Sequence, residues 1–242
     1  MDTQNSPTQS ADLKEVLAAL DVCEYIKELK LLAKKGDASA QSSLGRMYAN
    51  GQGAQQNYQI AAKWFRLAAK QGDVIAQSSL GQMYAHGRGV QQDDQEVLKW
   101  YRLAAAQGNA VAQFNLGVMY ANGQGVTRDY QEAVKWYRLA AKQGHASAQS
   151  SLGTMYVAGR GVPQDDKAAV KWCRLAAKQG YAIAQYNLGV MCDEGQGVQQ
   201  DYQEAMKWFR LAAEQGLAEA QAAIDVMHAK DQGADCVTEP HG

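Results

Sequence analysis

Apolar residues along most of this chain fall into two alternating stripes, each with helical spacing. Within 109–122, Ala112, Leu116, Met119 and Tyr120 stand at i, i+4, i+7 and i+8, the signature of one buried helix face. Within 129–144, Tyr130, Ala133, Val134, Tyr137, Ala140 and Ala141 form a second such face, and Lys135, Arg138 and Lys142 opposite it read as a solvated ridge. Gly123-Gln-Gly125 lies between them, its first glycine suited to the left-handed position that ends a helix. Asp129 and Glu132 are spaced to cap the helix that follows, and Gly144 ends it. The pattern predicts helix, glycine turn, helix.

That unit recurs every 36 residues, marked by the Lys-Trp pairs at Lys63-Trp64, Lys99-Trp100, Lys135-Trp136, Lys171-Trp172 and Lys207-Trp208. A fixed period of this length predicts an all-α solenoid of helix-turn-helix repeats, in which each unit contacts only its neighbours. Five full repeats are expected at 37–72, 73–108, 109–144, 145–180 and 181–216. Residues 12–36 read as an N-terminal capping helical segment in which Asp12 with Glu15 and Asp21 with Glu24 form capping pairs, and Glu28 stands where later units have Trp. Residues 217–229 read as a closing half-repeat helix, with Asp225 and His228 in place of the usual Gly and Tyr. A disordered lead is expected over 1–11 and a flexible tail over 230–242. The Trp residues recur in every unit, which marks them as packing residues. Gly45, Gly81, Gly117, Gly153 and Gly189 recur inside the first helix, where Gly costs about 1 kcal/mol relative to Ala. Their recurrence predicts a close helix crossing at each.

Charge and chemistry narrow the function by exclusion. With 24 Lys plus Arg against 25 Asp plus Glu, the net charge is -1, so no bulk attraction draws the chain to nucleic acid. No run of 18 apolar residues supports membrane insertion, and the first 11 residues lack a signal-peptide pattern, which predicts a cytoplasmic location, or an exported or periplasmic one if a leader has been trimmed. Cys23, Cys173, Cys192 and Cys236 have no metal-ligand spacing. On antiparallel helices Cys173 and Cys192 would sit about 7 Å out of step along the axis, so all four are expected as free thiols. His86, His145, His228 and His241 form no HExxH, and no SxxK or GxSxG is present. The Gly-x-Gly turns follow helices and precede polar residues, unlike a nucleotide loop, which follows a strand. Neither a catalytic residue nor a metal or cofactor is expected.

The segments Ala112-Gln-Phe-Asn-Leu-Gly-Val-Met-Tyr120, Gly123-Gln-Gly-Val126 and Asp129-Tyr-Gln-Glu-Ala-Val-Lys-Trp-Tyr137 resemble the Sel1-like repeat family, a tetratricopeptide-like group. The resemblance runs from 37 to 216, with half-units on either side. It implies a right-handed α/α superhelix used as a non-enzymatic protein-interaction scaffold or adaptor, commonly bacterial. Some cysteine-rich members are associated with penicillin binding or hydrolysis, which makes a cell-wall or β-lactam hydrolase the alternative. They carry a Cys pair in each repeat, which this chain lacks.

Fold residues must recur, so partner-binding residues are sought where units differ. Positions equivalent to 111, 115, 118 and 122 line a separate stripe of the first helix. On the expected concave first-helix face this stripe makes Arg46, Asn50, Gln82, His86, Asn115, Val118, Asn122, Thr154, Asn187, Val190 and Glu194 candidate contacts for a protein or peptide. Phe114 and Tyr186, which replace Ser42, Ser78 and Ser150 beside the stripe, are candidate anchors.

Overall fold

A computed structural model describes residues 24–235. The lead over 1–11, the caps at Asp12 and Asp21, Cys23, Cys236 and the last residues of the tail lie outside the described residues. Every regular element described is a helix: α1 (24–34), α2 (Ala38–Asn50), α3 (Tyr58–Lys70), α4 (Val74–His86), α5 (Asp94–Ala106), α6 (Ala110–Asn122), α7 (Tyr130–Lys142), α8 (Ala146–Ala158), α9 (Asp166–Lys178), α10 (Ala182–Glu194), α11 (Tyr202–Ala213) and α12 (Ala218–Asp235). The chain divides into two compact units after Asn109, the first holding α1–α5 and the second α6–α12. Within each unit, consecutive helices pack on one another as all-α solenoid repeats do.

Local chemistry sets the helix ends. Asp37 and Asp73 accept the N–H of Ala40 and Ala76 at 2.7 Å, and Asp129 accepts those of Gln131 and Glu132 at 2.9 and 3.0 Å. Five first helices stop at a glycine in the left-handed region, Gly51, Gly87, Gly123, Gly159 and Gly195. Helix α12 has Asp231 where that glycine would stand and continues to Asp235. The closing helix is therefore longer than the 217–229 expected, and 230–235, expected as tail, continues it. No left-handed stop interrupts its hydrogen-bond ladder.

Packing within a pair follows the glycine and alanine pattern. A Cβ on Gly117 would lie 2.6 Å from the Tyr137 ring, so the close crossing expected there is real. Ala133 and Ala140 beside it are fully buried. Trp100 is buried in the first unit, while Trp172 and Trp208 pack half-buried against the cores of the second.

Two polar systems tie successive pairs together. Gln149, 4 % exposed, donates to the Ala141 carbonyl at 3.1 Å and accepts from Gln179 at 2.8 Å, and Gln41 with Gln71 repeats the arrangement in the first unit. A buried amide left without such partners would cost about 1–3 kcal/mol, so these glutamines set the register between pairs. Arg138 donates to the Tyr156 hydroxyl at 3.1 Å and Arg66 to that of Tyr84 at 2.9 Å. This corrects the solvated-ridge expectation for Arg138, whereas Lys135 and Lys142 are exposed as expected. The arginine is half-buried, and its long side chain carries a planar fork of donors to the next first helix. Lys135 itself pairs with Glu132.

Candidate functional site

The variable stripe lines one cleft in each unit. In the first unit Arg46 and Asn50 of α2 meet Gln82 and His86 of α4 around a cleft of about 520 Å³, which Tyr58 and Arg88 also line. Asn50, Gln82 and His86 are exposed, and the cleft is lined by no carboxylate. Arg46 makes only a 3.4 Å contact to Ser43, so its guanidinium is available. Arg88 lies over the Tyr58 ring, 5.8 Å from its centre, a cation on an aromatic face. In the second unit Thr154 of α8 and Tyr186, Asn187 and Val190 of α10 line a smaller cleft of about 220 Å³, together with Val157 and Met191. It carries no charged side chain. Asn115, Val118 and Asn122 of α6 fall outside both clefts: Val118 packs partly into the core, Asn115 is half-buried and Asn122 is exposed at the helix end. Glu194 is exposed at the end of α10.

The two candidate anchors are half-buried rings, each with one face in the fold. Phe114 stacks on His145 at 4.9 Å between centroids and tilts against Tyr137 at 5.8 Å, and Tyr186 tilts against Phe209 at 5.7 Å. At the equivalent position of the first repeat, Ser42 donates to Asp73, the N-cap of the next first helix, at 3.0 Å. Where the cap is His145, the residue facing it is Phe114. The hydrogen bond becomes a ring stack, so the departure from Ser that marked Phe114 in the sequence follows at least in part from its structural neighbour. Tyr186 is the anchor that also lines a cleft.

His145 caps α8 by accepting the Ala148 N–H at Nδ1, 3.3 Å away, and burial lowers its pKa. Protonation would remove that acceptor and place positive charge at the positive end of the helix. Since the folded-state pKa is below the unfolded one, the associated stability is present above the ordinary His range and is lost as pH falls. The midpoint of thermal unfolding should therefore fall between about pH 7.5 and about pH 5 more for the parent than for His145→Asn, whose amide caps without titrating. Parallel profiles for the two proteins would rule out His145 as the source.

Among the described residues no group of three His, Cys, Asp or Glu could hold a metal ion. Cys173 and Cys192 are free and buried, and burial pushes both thiols up to about 11, far from a reactive thiolate. No described helix is long and apolar enough to cross a membrane.

The Sel1 repeat family model matches residues 38–73, 74–109, 110–145, 146–181 and 182–217. Among solved structures, the chain is similar to c5321, a protective antigen of uropathogenic Escherichia coli strains displaying an SLR fold, with 41% identity and a TM-score of 0.77. That alignment covers 81% of this chain and 42% of the antigen, so the chain spans less than half of that protein's length. A Sel1 repeat protein from Oxalobacter formigenes is 31% identical with a TM-score of 0.76, over 86% of this chain and 85% of that one. No curated protein matches.

Proposed function

Because this chain belongs to the Sel1 repeat family, whose members are generally protein-interaction scaffolds, we propose that it is a non-enzymatic adaptor that binds a peptide or protein segment on its first-helix face. The observation that carries this reading is the cleft of the first unit, where Arg46, Gln82 and His86, which differ from their counterparts in other repeats, converge with Asn50. Arg46 and Arg88 with no carboxylate beside them suit a segment that presents an acidic side chain, and the amides of Asn50 and Gln82 suit its backbone. The cleft of the second unit, with Val157, Val190 and Tyr186, suits an aliphatic side chain.

Selection from a displayed peptide library against the intact protein tests the reading. Recovered peptides should carry a carboxylate, and Arg46→Glu with His86→Glu should weaken them at least tenfold, about 1.4 kcal/mol, without changing the unfolding midpoint. Peptides indifferent to both substitutions would place recognition off the first-helix face, and turnover of nitrocefin would replace the adaptor with a hydrolase.

A further inference from the structure

We infer that a second peptide site, separate from the first-helix clefts, lies between α11 and α12 and takes an extended segment of a partner protein with a basic residue, Gly and an aliphatic residue followed by carboxylates. The cleft holds about 560 Å³ and is lined by Tyr202, Gln203, Met206, Lys207 and Arg210 of α11, by Met227 and His228 of α12, and by one carboxylate, Asp193 of α10, which leaves the two cations of α11 in excess. Its origin is the missing glycine stop at Asp231. In the interior repeats the chain turns at that point and lays its own turn over the preceding second helix. Gly89 packs on the Tyr58 backbone so closely that an added Cβ would be 2.3 Å from it, Val90 joins the apolar cluster beside it, and Arg88 rests on the Tyr58 ring. In the second unit Gly161 and Arg160 do the same at Tyr130. Because α12 runs straight on, no described residue returns over α11, and Tyr202 is 56% exposed where Tyr58 and Tyr130 are half-buried.

The charge of the missing occupant follows from Arg210. Three of its four counterparts are half-buried and bonded, Arg66 to Tyr84, Arg138 to Tyr156, and Arg174 to Glu204 at 3.4 Å where Cys192 replaces the tyrosine, while the fourth, Arg102, is exposed. The tyrosine position facing Arg210 is His228, and Arg210 is exposed, its guanidinium making no hydrogen bond or ion pair to any described residue. In the first repeats the space around Arg66 is bounded by Asp93 and Glu96 of the next second helix, and Arg174 meets its carboxylate from the same direction. An occupant of the α11–α12 cleft therefore brings a carboxylate to Arg210 and Lys207, an aliphatic side chain to Met206 and Met227, and a cation to the open ring of Tyr202. A second copy of the chain is a poor source, since its own turns are already packed on its own helices.

The test uses the full chain and the octapeptide Gly-Arg-Gly-Val-Gln-Gln-Asp-Asp, the sequence of residues 87–94. Amide and side-chain NMR signals of Tyr202, Lys207 and His228 should shift saturably on titration. Lys207→Glu with Arg210→Glu should weaken binding at least tenfold, and a peptide with both Asp changed to Lys should recover affinity for that variant. Arg46→Glu with His86→Glu should leave this binding unchanged, which separates the site from the first-helix clefts. Both positions of the charge-reversed pair are exposed, so the variant should fold. An absence of saturable shifts, shifts confined to the first-helix clefts, or full binding by the charge-reversed protein would each overturn the proposal.

Discussion

Tyr137→Ala is expected to destabilise the protein by about 3–5 kcal/mol, the range for removing a large buried aromatic side chain. The ring is 4 % exposed, lies over Gly117 and supports Phe114. The sharper version of the experiment adds Gly117→Ala. In the parent, the new methyl would meet the Tyr137 ring at 2.6 Å and the Ala133 carbonyl at 3.2 Å, an overpacking that should cost about 1–3 kcal/mol. In the Tyr137→Ala background the ring is gone, and the gain of about 1 kcal/mol in helix propensity on replacing Gly should offset most of what remains. Urea unfolding of the four proteins should thus show a coupling of at least about 1 kcal/mol. Additive losses would mean that the glycine does not serve the ring.

Gly161→Ala should be strongly destabilising. Its φ is +73°, and the added Cβ would lie 2.1 Å from the Tyr130 carbonyl oxygen and 2.4 Å from its carbon. The left-handed conformation alone costs roughly 1–2 kcal/mol for an alanine. Here the clash is with backbone, so no side-chain rotation relieves it, and the total should be at least about 3 kcal/mol. Gly144→Ala is the control: its φ is +87° but nothing lies within 4 Å of the added Cβ, so only the conformational cost of about 1–2 kcal/mol should appear. Equal losses at the two positions, by chemical unfolding, would show that the contact between the turn and the preceding second helix contributes nothing. That contact is also the one absent at α11, so the same pair of proteins measures how strongly an interior turn is held.

Helices, turns and repeat boundaries were legible because each depends on residues a few positions apart. Asp129 caps α7 through its own next residues, Gly123 and Gly159 stop helices through their own φ, and the Ala and Gly stripes recur wherever two helices cross. Recurrence likewise identified the Sel1 repeat, because a residue every unit needs must appear in every unit. The stripe residues Arg46, Asn50, Gln82 and His86 were legible by the converse rule, and the fold does bring them to one cleft. The roles that stayed hidden depend on which side chain meets which neighbour one repeat away. Gln41 and Gln149 recur like surface residues but are buried in an amide ladder, and Arg138 has the sequence context of a solvated ridge but bonds Tyr156, 18 residues on. The stacking of Phe114 on His145 is hidden for the same reason. The exposed cleft at Tyr202 exists because Asp231 lets α12 continue, so the segment that covers Tyr58 and Tyr130 is not laid down there. Periodicity assigns a face to each residue from its own helix; the partner on that face is set by the rise and rotation between neighbouring helices, which only packing decides.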